Sequence, residues 1–137
     1  MAYALHIFRF TLDNEDFRLP IALQEWKEAV GSQDSVRLIP YPTRLDLGHG
    51  GSMETNDGDA EVFLGEARGW HPVFHWFEDS ASFSARALDH DNLASDPIFR
   101  AAAAIARRLG AVISGDDGEQ YDLDTAAVTP DSEINPD

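Results

Sequence analysis

Apolar residues along this chain follow two different periods, and the changes between them mark its elements. From Tyr3 to Leu12 the period is two. Leu5, Ile7 and Arg9 share one face, and His6, Phe8 and Phe10 the other. Apolar side chains on both faces predict an interior strand. Asp13-Asn14-Glu15-Asp16 reads as a polar turn. Pro20 opens a predicted helix through Val30, with Ala22, Trp26, Ala29 and Val30 at helical spacing and Gly31 as its left-handed last residue. Val36 to Ile39 fits a short strand that stops at Pro40, and Arg44 to Leu47 fits another. Gly48 to Asp59 reads as a loop. Ala60 to Glu66 and Pro72 to Glu78 read as strands joined across Arg68-Gly69. Asp79-Ser80-Ala81 is the expected turn into a strand from Ser82 to Leu88. Val73, Phe74, Trp76 and Phe77 are the densest apolar cluster, which puts this hairpin at the centre of the expected sheet.

The second helix has the clearest signals. Asp96 is a good N-cap, Pro97 suits the first helical position, and Gly110 ends the run. Ile98, Ala102, Ile105 and Leu109 recur on one face. Val112 and Ile113 lead into a strand–turn–strand from Ala111 to Leu123, around Gly115-Asp116-Asp117-Gly118. Strands joined by short turns favour antiparallel pairing. The order therefore predicts an α+β fold: a single antiparallel β-sheet with two helices packed on one face. Leu5, Ile7, Trp26, Phe74, Trp76, Ile98, Ile105 and Leu109 are expected between the layers. Residues 1–125 should form one domain. Residues 126–137 have little to bury and are expected as a mobile acidic C-terminal tail.

Charge changes the picture most. Twenty-five acids face ten Lys and Arg, for a formal charge of −15. After Arg108 there is no Lys, Arg or His, but there are eight acids. Such a surface repels phosphate, so direct nucleic-acid binding is not expected. The one basic pair, Arg107-Arg108, suits the negative end of a helix dipole. There is no cysteine, hence no disulfide framework and no Cys-type zinc site. The N-terminal residues lack the pattern of a signal peptide, and no apolar run approaches the roughly 20 residues of a membrane span. A cytoplasmic protein that does not bind membranes is expected.

Candidate chemistry is sparse. His71 and His75 are four apart, but on a strand that spacing leaves them about 13 Å apart on one face. No shared metal is expected there. Gly48-His49-Gly50-Gly51-Ser52 lacks the Lys of a phosphate-binding loop and sits among acids. The run from Asp116 to Asp124 does not follow the calcium-loop pattern; Asp117-Gly118 is better read as a turn needing positive φ. No Gly-x-Ser-x-Gly elbow is present. No catalytic residue, cofactor or metal is expected. For Asp116, Asp117, Glu119, Asp122 and Asp124 a solvated acidic turn is the common reading and a partner-binding surface its main rival; Asp117 and Glu119 are expected to hold little stability, whereas the Asp116 side chain can bond the turn backbone. Strand alternation puts Glu119 on one face of the hairpin, and Asp122 and Asp124 on the other. Trp70, after Gly69 at a strand's start, is a candidate interface anchor, whereas Trp76 belongs to the core.

Five segments together carry a resemblance. They are Pro20-Ile21 with Glu25-Trp26, Trp70-His71-Pro72-Val73-Phe74-His75-Trp76, Ser82-Phe83-Ser84-Ala85, Leu109-Gly110-Ala111, and Gly115-Asp116-Asp117-Gly118-Glu119-Gln120-Tyr121. The chain resembles a broad group of small standalone bacterial proteins without an assigned activity. Proteins of this size and acidity often act as immunity proteins beside antibacterial toxins. The resemblance implies no catalytic residue. One departure is Ala22, where the helix in such proteins tends to start with Ser or Thr; alanine removes a capping box with Glu25.

The expected function is an immunity-type binding protein that neutralises a basic partner, a cognate toxin, by stoichiometric occlusion. Complementary charge speeds encounter and suppresses wrong partners. The alternatives are a nucleic-acid mimic that blocks a DNA- or RNA-binding protein, and a small enzyme.

Overall fold

A computed structural model describes residues 3–10, 18–41, 44–46, 50–85, 88–89 and 91–129. The expected turn at 13–16, the glycine-rich run at 48–49 and the tail beyond Thr129 lie outside the described residues. The elements are β1 (Ala4–Phe10), β2 (Arg18–Leu19), α1 (Leu23–Gly31), β3 (Val36–Leu38), β4 (Arg44–Asp46), β5 (Ser52–Glu54), β6 (Ala60–Phe63), β7 (Trp70–Phe77), β8 (Ser80–Ser84), α2 (Pro97–Leu109), β9 (Val112–Gly115), β10 (Gln120–Tyr121) and β11 (Val128–Thr129).

Among the described residues, nine strands form one sheet in the order β11-β10-β9-β1-β8-β7-β6-β3, with β2 pairing the far end of β1. Every pairing is antiparallel. Leu5 and Ile7 of β1, Phe74 and Trp76 of β7, Ala81 and Phe83 of β8, and Ile113 of β9 point to one side and are buried. Both helices cover that side. Trp26 of α1 stacks on Trp76 and meets Phe74 edge-on, with centroids 5.4 and 5.8 Å away. Helix α2 buries Ile98, Phe99, Ala102 and Ile105, but Leu109 only partly. The fold is α+β, with both helices on one face and, among the described residues, no helix on the opposite, open face of the sheet. Among the described residues, no helix is long and apolar enough to cross a membrane.

Helix α2 starts and stops as its sequence dictates. The Asp96 carboxylate accepts the N–H groups of Ile98 and Phe99, and Gly110 closes the helix at φ 66°. Helix α1 departs from expectation at both ends. It begins at Leu23 rather than at Pro20, with Ala22 as N-cap. Half of the capping box survives, because the Glu25 carboxylate accepts the Ala22 N–H at 3.0 Å; alanine has no acceptor for the reciprocal bond. Gly31 stays inside the helix. Ser32 ends it with right-handed backbone, its N–H and hydroxyl taking up the last carbonyls, so no left-handed residue is needed.

Other boundaries shift for physical reasons. The loop expected from Gly48 to Asp59 contains β5, which pairs with β4 as a separate hairpin. Strand β8 begins at Ser80 rather than Ser82, because a tighter turn at Glu78 reverses the chain. The centre of the sheet is β1 and β8, not the β6–β7 hairpin. Of the four apolar residues of that cluster, Phe74 and Trp76 face the core, Val73 is half-buried and Phe77 is exposed. Where the tail was expected, Ala126 is buried and β11 pairs with β10.

The segment Thr55–Asp59 joins the layers. The Trp26 indole N–H donates to the Gly58 carbonyl at 2.7 Å. The buried Asp59 carboxylate accepts the N–H groups of Asn56 and Trp76, each at 2.8 Å.

Candidate partner-binding surface

The hairpin β9–β10 turns through Gly115 to Glu119. The Gly115 N–H donates to the Glu119 carbonyl at 2.9 Å, and Gly118 takes the positive φ, 88°, that its turn requires. The turn is fastened to the start of β1, which pairs with β9. Asp116 accepts the Ala4 N–H at 2.9 Å and meets His6 Nε2 at 2.7 Å. The His6 bond, with help from the Ala4 N–H, holds the Asp116 carboxyl below the usual carboxylate range. Glu119 accepts hydrogen bonds from the Tyr3 hydroxyl and, at 3.1 Å, from the Tyr121 hydroxyl. The Asp117 N–H donates to the Tyr3 oxygen at 3.2 Å.

Glu119 therefore turns inward. Its carboxylate lies against Gly115, where a Cβ would come within 2.3 Å of an oxygen. A side chain at 115 would therefore have to push the Glu119 carboxylate out of this position. The other carboxylate oxygen, Oε1, is buried without a partner. Burial, reinforced by the carboxylate beside it, pushes the Tyr3 phenol up to about 12 and raises Tyr121 as well.

The remaining acids do other work. Asp122 follows β10 in a turn, accepting the N–H groups of Asp124 and Thr125 at 2.8 and 2.9 Å, which lowers its pKa. Asp124 pairs with Arg107 of α2. Neither lies in a strand, so alternation does not set their faces. Among the described residues, Asp117 is the one acid of the five whose carboxylate takes no partner; it is exposed at the tip. The expectation of little stability suits Asp117 and fails for Glu119, which Tyr3 holds; Asp116, expected to bond the turn backbone, bonds Ala4 and His6 of β1 instead.

Trp70 is not brought to the hairpin. It opens β7, three strand spacings or roughly 14 Å across the sheet from β9. There it lies on the open face, half-buried, with Phe63 at 5.4 Å and the Arg37 guanidinium 4.0 Å over its ring. Arg37 also bonds Glu61 at 2.5 Å.

The two histidines separate further than alternation predicts. A bulge at Val73 sets Ala60 opposite Phe74 but Glu61 opposite Pro72. His71 then pairs with the buried Val62 on the helix side, whereas His75 pairs with Ser82 on the open side. The extra residue reverses the faces, so the two rings do not face one ion. His75 Nδ1 instead lies 3.3 Å from the buried Asp59. Among the described residues, no group of three His, Asp or Glu is placed to hold a metal ion.

Tyr3, His6 and Asp59 were not singled out by their sequence context. Tyr3 and His6 meet their acids across 110 or more residues, and no local pattern signals such contacts. Charge pairing is widespread: Arg9 with Glu25, Lys27 with Asp57, Arg37 with Glu61, Arg44 with Glu54 and Arg107 with Asp124. Among the described residues these pairs take five of the ten Lys and Arg, and the surplus of acids sets the surface potential.

The latch between β1 and the hairpin has a pH signature. The Asp116 carboxyl is depressed in the folded state, so its stabilisation is present above the ordinary value of 3.8 and is lost as pH falls through the lower folded value. The phenols are raised, so their contribution is present below 10 and is lost as pH rises toward about 12. Phenolate absorbance during alkaline titration is expected to show a late-ionising class that Glu119→Ala shifts toward 10. A titration unchanged by that substitution would show that the latch does not form.

Compared with family models, curated proteins and solved structures, the chain matches none.

Proposed function

We propose that this protein is a small acidic binding protein of immunity type, which occludes a basic partner protein, a cognate bacterial toxin, in the cytoplasm. The observation that carries this reading is the latched acidic turn. Four hydrogen bonds, from or to Tyr3, Ala4, His6 and the Asp117 N–H, hold it against β1. Asp117 is thus presented from a rigid support, and little conformational entropy is lost when a partner docks. The surplus negative charge supplies steering. Action is by occupancy rather than by bond chemistry.

A nucleic-acid mimic would need acids in a row along one face. Here Asp116 lies on the open face, Glu119 turns inward and Asp124 pairs with α2, so occlusion of a basic protein is better supported.

The test is recovery of a tagged chain from cells that make it, with identification of what co-purifies. A basic protein at 1:1 stoichiometry is expected, bound more weakly as salt rises. Asp117→Lys should slow association about two- to tenfold at low salt and leave circular dichroism unchanged. Glu119→Lys is the wrong probe, because it breaks the latch. Absence of a stoichiometric basic partner would reject this reading.

A further inference from the structure

The turn between β7 and β8 is strained. Glu78 has φ 58°, and the Asp79 N–H bonds the Phe77 carbonyl at 2.7 Å, closing a γ-turn with its centre in the left-handed region. Such turns are rare for a residue with a side chain, and glycine would remove the strain. The turn is also held in place, because the Ile21 N–H donates to the Asp79 carbonyl at 3.3 Å. It presents Phe77, at 61% the most exposed large apolar side chain described. Phe77 pairs with Ser80 on the open face, where Phe8 pairs with Val112, both half-buried. Across Ser80 from Phe8, this row therefore ends in an exposed aromatic residue, immediately followed by two acids, Glu78 and Asp79. Strain retained at an exposed turn is commonly linked to recognition, and an exposed aromatic residue is the usual anchor of an interface.

We infer that Phe77 and Glu78 form the anchor of the docking surface, with Phe77 entering an apolar pocket of a basic protein and Glu78 meeting a Lys or Arg at the pocket's rim. This rests on the function proposed above and adds, on the open face, an apolar anchor to the steering charge at the hairpin tip. Charge decides the occupant. A second copy of this chain carries the same −15 and is repelled, whereas a basic surface complements the acids beside Phe77.

The experiment places a photo-crosslinking benzoylphenylalanine at position 77, and separately at 117, in cells that make the protein. The crosslinked protein is identified and purified, and its binding is measured. A basic protein captured from position 77 that binds Phe77→Ser about tenfold or more weakly supports the inference. Glu78→Gly should then raise the thermal midpoint, by releasing strain, while weakening binding. A turn with a purely structural role would gain stability with no change in affinity, and that result overturns the inference. Capture of a basic protein from 117 alone, or equal binding by Phe77→Ser, also overturns it but leaves the proposed function standing. No basic adduct from either position overturns both.

Discussion

Gly58→Ala is expected to destabilise the fold by about 2–6 kcal/mol, a large share of the stability of a domain this size. Two independent effects add. The backbone at Gly58 has φ 110°, which L side chains rarely adopt, and such strain costs about 1–3 kcal/mol. A Cβ there would also lie 2.8 Å from Leu23 Cδ1 and 2.9 Å from Trp76 Cγ. The Leu23 methyl can swing aside, but Trp76 cannot yield freely, because its ring is stacked against Trp26 in the core; overpacking of this kind costs about 1–3 kcal/mol more. Gly50→Ala separates the two effects. Its φ is 77°, but nothing lies within 4 Å of the added carbon, so only the strain applies. Urea denaturation of the two variants should place Gly58→Ala well below Gly50→Ala. Equal midpoints would mean that the Trp76 contact is not as close as described.

Trp26→Ala should cost about as much, roughly 3–5 kcal/mol, from the lost packing and the cavity it leaves. Trp26 is fully buried, touches both Phe74 and Trp76, and is the link between α1 and the sheet. Its indole N–H satisfies the Gly58 carbonyl, so the alanine variant also removes that carbonyl's partner. Trp26→Phe keeps most of the ring but drops the donor, and should cost about 1–3 kcal/mol for the unsatisfied carbonyl. Denaturant midpoints for both variants test the division. If Trp26→Phe is as stable as wild type, the indole hydrogen bond contributes nothing net.

Much of the fold was legible because local chemistry agreed with it. Asp96, Pro97 and Gly110 delimit α2 by satisfying or sparing its end groups, and Ile98, Ala102 and Ile105 face inward at the predicted spacing. Strand β1 was readable as interior from apolar residues on both faces. Boundaries failed where a single residue changes the count. The bulge at Val73 and the γ-turn at Glu78 each break the period of two, and neither carries glycine to mark it. The candidate acids were found from composition, but composition does not distinguish an acid aimed at solvent from one folded inward. Asp117 and Glu119 are two residues apart, and the Tyr3 and Tyr121 hydroxyls make them different, by donating to the carboxylate of Glu119 and not to that of Asp117.

The sequence by itself determined the net charge of −15, the two-helix α+β composition and the alternation that divides core from surface. These follow from residue type and from periods set by backbone geometry. The tertiary structure alone decided which acids are spent and which remain available. A carboxylate's role depends on donors that reach it from distant segments: Tyr3 and His6 for the hairpin, Arg107 for Asp124, and the Trp76 N–H for Asp59. It also decided that Trp70 lies on the open face. Strict alternation would set Trp70 on the same side as Phe74 and Trp76, but the extra residue at Val73 reverses the faces before it.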